Sequence, residues 1–136
     1  MTSGTGVPAS RGDPPRVLVV DDNPFNVKLA VHLLKAEGFE VRSVEAPEEV
    51  APAIAIWRPD VVLMDLRLPG MDGLTLTRRL RADPAHAGIA IVAFSADRGS
   101  DEQRSLEAGC NGFITKPIEV TTFGAEVRRF VGAGLP

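Results

Sequence analysis

The sequence predicts an α/β fold, a doubly wound five-stranded parallel sheet of strand order 2-1-3-4-5. Three observations lead there. Short apolar runs alternate strictly with amphipathic segments of helical spacing through residues 16–131, the pattern of strands joined by helical crossovers. Right-handed crossovers leave few topologies for five such units. Finally, four of the runs end on reactive polar residues: Val17-Leu18-Val19-Val20 on Asp21-Asp22, Val61-Val62-Leu63-Met64 on Asp65, Ile91-Val92-Ala93-Phe94 on Ser95, and Phe113-Ile114-Thr115 on Lys116-Pro117. In parallel strands those ends open on one edge, where open α/β sheets place their ligands.

Residues 1–15 are rich in Gly, Ser, Thr and Pro without an apolar stretch, and read as a flexible leader rather than a signal peptide. After the first strand, Asn23-Pro24 supplies an N-cap and a proline at the first helical position. Val27, Ala30, Val31, Leu33 and Leu34 continue at helical spacing until Gly38 stops the helix. Residues 39–45 alternate apolar and polar, as an edge strand covered on one face does.

Residues 47–58 form the predicted second helix, with Val50, Ala53, Ile54 and Trp57 on one stripe, ended by Pro59. Residues 60–65 form the next strand, continuously apolar from Val61 to Met64 before Asp65, the signature of a strand buried on both faces. Pro69-Gly70 breaks the chain, and residues 72–82 carry Leu74, Leu76 and Leu80 as a third helix. A buried strand follows over 89–95, then a more polar fourth helix over 100–108, capped by Ser100 and stopped by Gly109. The last strand spans 113–116. The last helix spans 119–131, with Val120, Phe123, Val127, Phe130 and Val131 facing inward, and 132–136 form a short tail.

A chain of 136 residues with 44% hydrophobic residues suits one globular domain. Its net charge of −3 offers no electrostatic case for nucleic-acid or membrane-surface binding. Cys110 is the one cysteine, so neither an internal disulfide nor a cysteine zinc site can form. No stretch approaches the ~20 apolar residues a bilayer span needs, and a cytoplasmic location is expected. His32, His86 and Trp57 read as ordinary polar and packing positions.

The shared edge has a definite chemistry. Asp65 ends an apolar run, so its carboxylate is partly desolvated and requires a partner. Three carboxylates on one edge repel unless a cation neutralises them. Mg²⁺, or Mn²⁺, suits an all-oxygen donor set and often bridges carboxylates to a phosphoryl group. Lys116 can pair with a carboxylate at rest and a phosphoryl oxygen afterwards, and Ser95 can donate to the same oxygens.

These segments resemble the receiver domain of two-component response regulators. The resemblance rests on Val17-Leu18-Val19-Val20-Asp21-Asp22-Asn23, on Val61 through Gly73 with its Leu68-Pro69-Gly70-Met71-Asp72-Gly73 loop, on Ala93-Phe94-Ser95-Ala96, and on Gly112-Phe113-Ile114-Thr115-Lys116-Pro117-Ile118. It implies a flavodoxin-like (βα)5 receiver over 16–131, of the single-domain type. It implies Asp65 as phosphoacceptor, with Asp22 binding Mg²⁺ directly, Asp21 acting mostly through water, and the Arg67 backbone carbonyl as a further metal ligand. Ser95 takes the switch hydroxyl's place, Lys116 that of the phosphate-contacting lysine, and Phe113 stands where many receivers carry Tyr. A cis Lys116-Pro117 peptide is implied too.

By the same resemblance the phosphoryl donor is a histidine kinase or phosphotransfer protein. The acyl phosphate would draw in Ser95 and Lys116, let Phe113 repack, and bias a surface made of the fourth helix, last strand and last helix toward an effector protein. The chain is expected to act as a monomer or weak dimer. Two other classes remain open from residues alone: an aspartyl-phosphate phosphatase of small molecules, and a phosphorylation-independent interaction module. Such phosphatases usually carry a second acid two residues after the nucleophile, and Arg67 stands there. Arg67 and Asp97 are expected to pair across the mouth of the site.

Overall fold

The computed structural model describes residues 13–134; residues 1–12 of the expected leader and 135–136 of the expected tail lie outside the described residues. Five strands, β1 (Arg16–Val20), β2 (Glu40–Val44), β3 (Val61–Asp65), β4 (Ala90–Ser95) and β5 (Gly112–Thr115), form one sheet in the order β2-β1-β3-β4-β5. Every pair is parallel. The helices are α1 (Pro24–Ala36), α2 (Val50–Ile56), α3 (Gly73–Arg81), α4 (Arg98–Ala108) and α5 (Phe123–Arg128).

Apart from Arg16, Asp65 and Ser95 at their ends, the central strands are apolar throughout, because both faces of the sheet are covered. Leu18, Val20, Val62, Met64, Ile91 and Ala93 pack on one side, against Val50 and Ile54 of α2, Leu76 and Leu80 of α3 and Ala108 of α4. Their neighbours Val17, Val19, Val61, Leu63, Val92 and Phe94 pack on the other, against Ala30 and Leu34 of α1 and Phe123 and Val127 of α5. This two-residue alternation fixes the register, since a one-residue slip would exchange the two cores. β2 is the exposed edge strand expected of its mixed pattern. Trp57 is buried beneath two guanidinium groups, with Arg16 and Arg42 at 5.3 and 4.8 Å from its ring centre.

Three helices depart from their expected bounds by two residues or more. The second helix begins as a 3-10 turn over Pro47–Glu49 and ends at Ile56. There the Glu49 carboxylate accepts from the Glu45 and Ala46 N–H groups, at 3.0 and 3.1 Å, and holds the entry in a tight turn. The last helix is shorter at both ends. Residues 120–122 form a turn, in keeping with the low helix preference of the β-branched run Val120-Thr121-Thr122, and Val120 points out to solvent instead of inward. α4 begins two residues early, because Asp97 rather than Ser100 is its cap: Asp97 Oδ1 accepts from Ser100 N at 3.2 Å. Gly109 ends α4 with φ +115, a left-handed conformation that favours glycine.

Two helix starts carry the loops that frame the sheet edge. Asn23 caps α1 through Phe25 N and Asn26 N, and Asp72 caps α3 through Thr75 N at 2.8 Å. The Thr75 N–H, followed by weaker contributions from Leu74 and Arg78, holds the Asp72 carboxyl below its ordinary pKa. A depressed carboxyl contributes stability above its unfolded-state pKa and loses it as pH falls through the folded-state value. Asp72→Ala is therefore expected to cost about 1 kcal/mol in urea denaturation at pH 7. That deficit should persist down to about pH 4 and shrink below it; a deficit independent of pH would show that charge plays no part in the cap.

Candidate functional site

The strand register assembles the site. Val20 lies opposite Met64, so the residues that follow them, Asp21 and Asp65, emerge side by side. Asp65 lies opposite Phe94 and Ser95 opposite Thr115, which sets Ser95 and Lys116 one step further along the same edge. The Lys116 N–H donates to the Ser95 carbonyl at 2.9 Å, and the Lys116-Pro117 peptide is cis. Behind Asp65 only a glycine fits: a Cβ on Gly73 would lie 2.5 Å from the Asp65 carbonyl oxygen.

All three acids converge, with one carboxylate oxygen of each of Asp21, Asp22 and Asp65 within 4.8 Å of the others. They are not equivalent. Asp21 and Asp65 are 0% and 2% exposed, whereas Asp22 faces solvent. Asp21 Oδ1 accepts from Asn23 N at 2.9 Å, and Asp65 Oδ1 from Arg67 N at 3.0 Å. Lys116 Nζ sits between the two buried acids, 3.2 Å from Asp65 Oδ1 and 3.4 Å from Asp21 Oδ2. It also lies 4.9 Å from the centre of the Phe94 ring.

One ammonium thus faces two buried carboxylates. Burial raises the Asp65 pKa most, and the neighbouring Asp21 charge adds to that; the Arg67 N–H and Lys116 lower it without cancelling the rise. Asp21 Oδ2 is within ion-pairing range of Lys116, yet among the described residues it is the buried side-chain oxygen that accepts no hydrogen bond. An unsatisfied oxygen inside an excess of negative charge fits a hard cation with oxygen ligands, the Mg²⁺ class. Arg67 follows two residues after Asp65 and is exposed.

Ser95 is 2% exposed, and its Oγ donates to Asp101 Oδ2 at 2.6 Å while accepting from Asp97 N at 3.2 Å. Phe113 is half-buried on β5, its ring 5.0 Å from the Arg98 guanidinium. The expected Arg67–Asp97 pair does not form. Arg67 Nη2 pairs instead with Asp101 Oδ2 at 2.8 Å, because Asp97 is engaged as the α4 cap while Asp101 turns inward one helical turn later.

Asp101, fully buried, is the site residue that sequence reasoning missed. A signal existed: Asp101, Ser105 and Ala108 follow i, i+4, i+7 spacing, which places all three on the buried face of α4.

Residues 17–128 match the family of response regulator receiver domains. The chain belongs to that family. The receiver is 34% identical to the polar-differentiation response regulator DivK of Brucella anthropi over 120 residues, 88% of this chain and 98% of that one. It is 42% identical over 115 residues to the response regulator PleD of Caulobacter vibrioides, covering 83% of this chain but about a quarter of the length of PleD, 25%.

Among solved structures, it superposes on the receiver domain of the sensor histidine kinase PA1611 of Pseudomonas aeruginosa PAO1, with a TM-score of 0.79 at 29% identity. That comparison covers 88% of this chain and 98% of the other, which holds a magnesium ion coordinated in its active site cleft. The signal receiver domain of a histidine kinase from Syntrophus aciditrophicus gives 0.77 at 30% identity, covering 88% and 91%.

The receiver is a two-component signalling domain, not a classical enzyme, and receivers act through histidine kinases and downstream effectors. The family typically binds Mg²⁺, and the three acids are placed to hold such an ion. No helix among the described residues is long and apolar enough to cross a membrane.

Proposed function

We propose that this receiver, spanning residues 16–131, is switched by phosphorylation of Asp65. The donor is the phosphohistidine of a histidine kinase or a phosphotransfer protein. The observation that carries the reading is the buried Asp21–Asp65 pair sharing Lys116, with Asp21 Oδ2 left unsatisfied.

An Asp65 carboxylate oxygen attacks phosphorus in line; a P–O bond forms as the P–N bond to the donor imidazole breaks, and the imidazole leaves with the electron pair. Lys116 is close enough to exchange its Asp65 contact for a phosphoryl oxygen, and the Ser95 hydroxyl stands at the neighbouring strand end to donate to another. Mg²⁺, or Mn²⁺, held by Asp22, Asp65 and the Arg67 carbonyl, with Asp21 mostly through water, would supply charge neutralisation at the phosphoryl oxygens. The acyl phosphate adds about −1.5 to −2 charges to a site already rich in acids. Ser95 and Phe113 pass that change to the face made of α4, β5 and α5, which binds an effector protein.

The receiver works in the cytoplasm as a monomer or weak dimer. Arg67 stands where a small-molecule phosphatase would need an acid, and its guanidinium is tied to Asp101, which weighs against that class. Incubation with acetyl phosphate and Mg²⁺, read by intact mass, is expected to give one phosphoryl adduct on the wild type and none on Asp65→Asn. An adduct persisting on the variant would overturn the assignment.

A further inference from the structure

We infer that Asp101 is a positioning residue that competes with the phosphoryl group for the hydroxyl of Ser95, and so sets how readily the switch is thrown. This rests on the reading of Asp65 as phosphoacceptor. The Ser95 hydroxyl has a single proton to donate, and at rest it goes to Asp101 Oδ2 at 2.6 Å, a length typical of a hydroxyl bound to a charged carboxylate. The same proton cannot serve a phosphoryl oxygen on Asp65. Phosphorylation must therefore break the Ser95–Asp101 bond.

The remaining partners of Asp101 make that exchange feasible. A fully buried carboxylate cannot be left unpaired without a large cost. Arg67 Nη2 stays on Oδ2 at 2.8 Å, and Arg104 Nη1 and Ser100 Oγ lie 3.3 and 3.4 Å from Oδ1. When Ser95 leaves, Asp101 keeps two guanidinium groups. Asp101 also lies in the first turn of α4, where the helix dipole favours a negative charge. The Ser95 bond consequently ties the end of β4 to α4, and its release frees a helix of the effector-binding face. Arg67, held by the same oxygen, joins the acceptor loop to this latch.

The competition is testable with beryllofluoride and Mg²⁺, a tetrahedral stand-in for a bound phosphoryl group. Affinities are measured for the wild type, Asp101→Asn, Ser95→Ala and the double variant. Asp101→Asn is expected to bind about tenfold tighter than the wild type, the factor that ~1.4 kcal/mol of a charge-assisted hydrogen bond represents. In the Ser95→Ala background the same substitution should change affinity by less than about twofold, since the contested proton is gone.

An equal change in both backgrounds would reduce Asp101 to a structural or purely electrostatic role and overturn the inference, as would no change in either. Absence of beryllofluoride binding by the wild type would instead overturn the phosphoacceptor reading itself. Should Asp101→Asn not fold, NMR of the other two proteins decides. The Asp101 carboxyl carbon resonance should shift on beryllofluoride addition in the wild type and stay in place in Ser95→Ala; an unmoved wild-type resonance would overturn the inference.

Discussion

Replacing Asp65 with Asn is expected to stabilise the metal-free receiver while removing its ability to take a phosphoryl group. Asp65 is buried at the end of β3, its carboxyl pKa raised by burial and by Asp21. With Asn there, Lys116 faces Asp21 alone, and two buried charges of opposite sign replace an excess of negative charge. The amide is nearly isosteric with the carboxylate, so packing beside Gly73 is preserved. In EDTA the melting temperature should rise by roughly 3–6 °C, corresponding to about 1 kcal/mol for a domain of this size. The stabilisation that Mg²⁺ gives the wild type should be largely lost, because the donor set forfeits a charge. A metal-free melting temperature that falls would mean the Lys116–Asp65 pair outweighs the repulsion. The same substitution at the exposed Asp22 should change the metal-free melting temperature far less, since solvent already screens that charge.

Lys116→Ala should have the opposite sign and the largest stability effect at the site. Its ammonium is the charge shared by two buried carboxylates, and its side chain is 18% exposed. Removing one partner of a buried pair leaves an uncompensated charge, a loss of about 3 kcal/mol. Mg²⁺ should restore much of that stability, whereas the loss of packing on Phe94 should remain. Urea denaturation with EDTA and with saturating Mg²⁺ separates the two contributions. An equal deficit in both would show that Lys116 acts through packing and not through its charge. In the phosphodonor assay the variant should still form the adduct at Asp65, because Lys116 is not the nucleophile, but it should hold the switched state poorly.

The strands were legible because a sheet covered on both faces needs apolar residues at successive positions, and Val17 to Val20, Val61 to Met64 and Ile91 to Phe94 supply them. Parallel pairing makes the strand ends a single edge, so the order of residues along the chain already groups Asp21, Asp65, Ser95 and Lys116. Helix limits were less legible. The 3-10 entry at Pro47 depends on the Glu49 carboxylate reaching back to two backbone N–H groups. The late start of α5 places Val120 in solvent, where a helical reading had placed it inside.

Strand periodicity and the residue types at the strand ends were sufficient for the topology and the membership of the acidic site, and the resemblance of those motifs to receiver domains for the family, because each is a property of order along the chain. Tertiary structure decided how the members differ. Asp21 and Asp22 are chemically identical neighbours, yet successive side chains leave the strand end in different directions, so one is sealed beside Lys116 and the other meets solvent. Order along the chain pointed to Asp97 as the partner of Arg67 and passed over Asp101. The rotation of α4 against the sheet assigns the first to the helix cap and buries the second against Ser95. Burial and competition for a single proton depend on what surrounds a side chain in space, and no spacing along the chain records that.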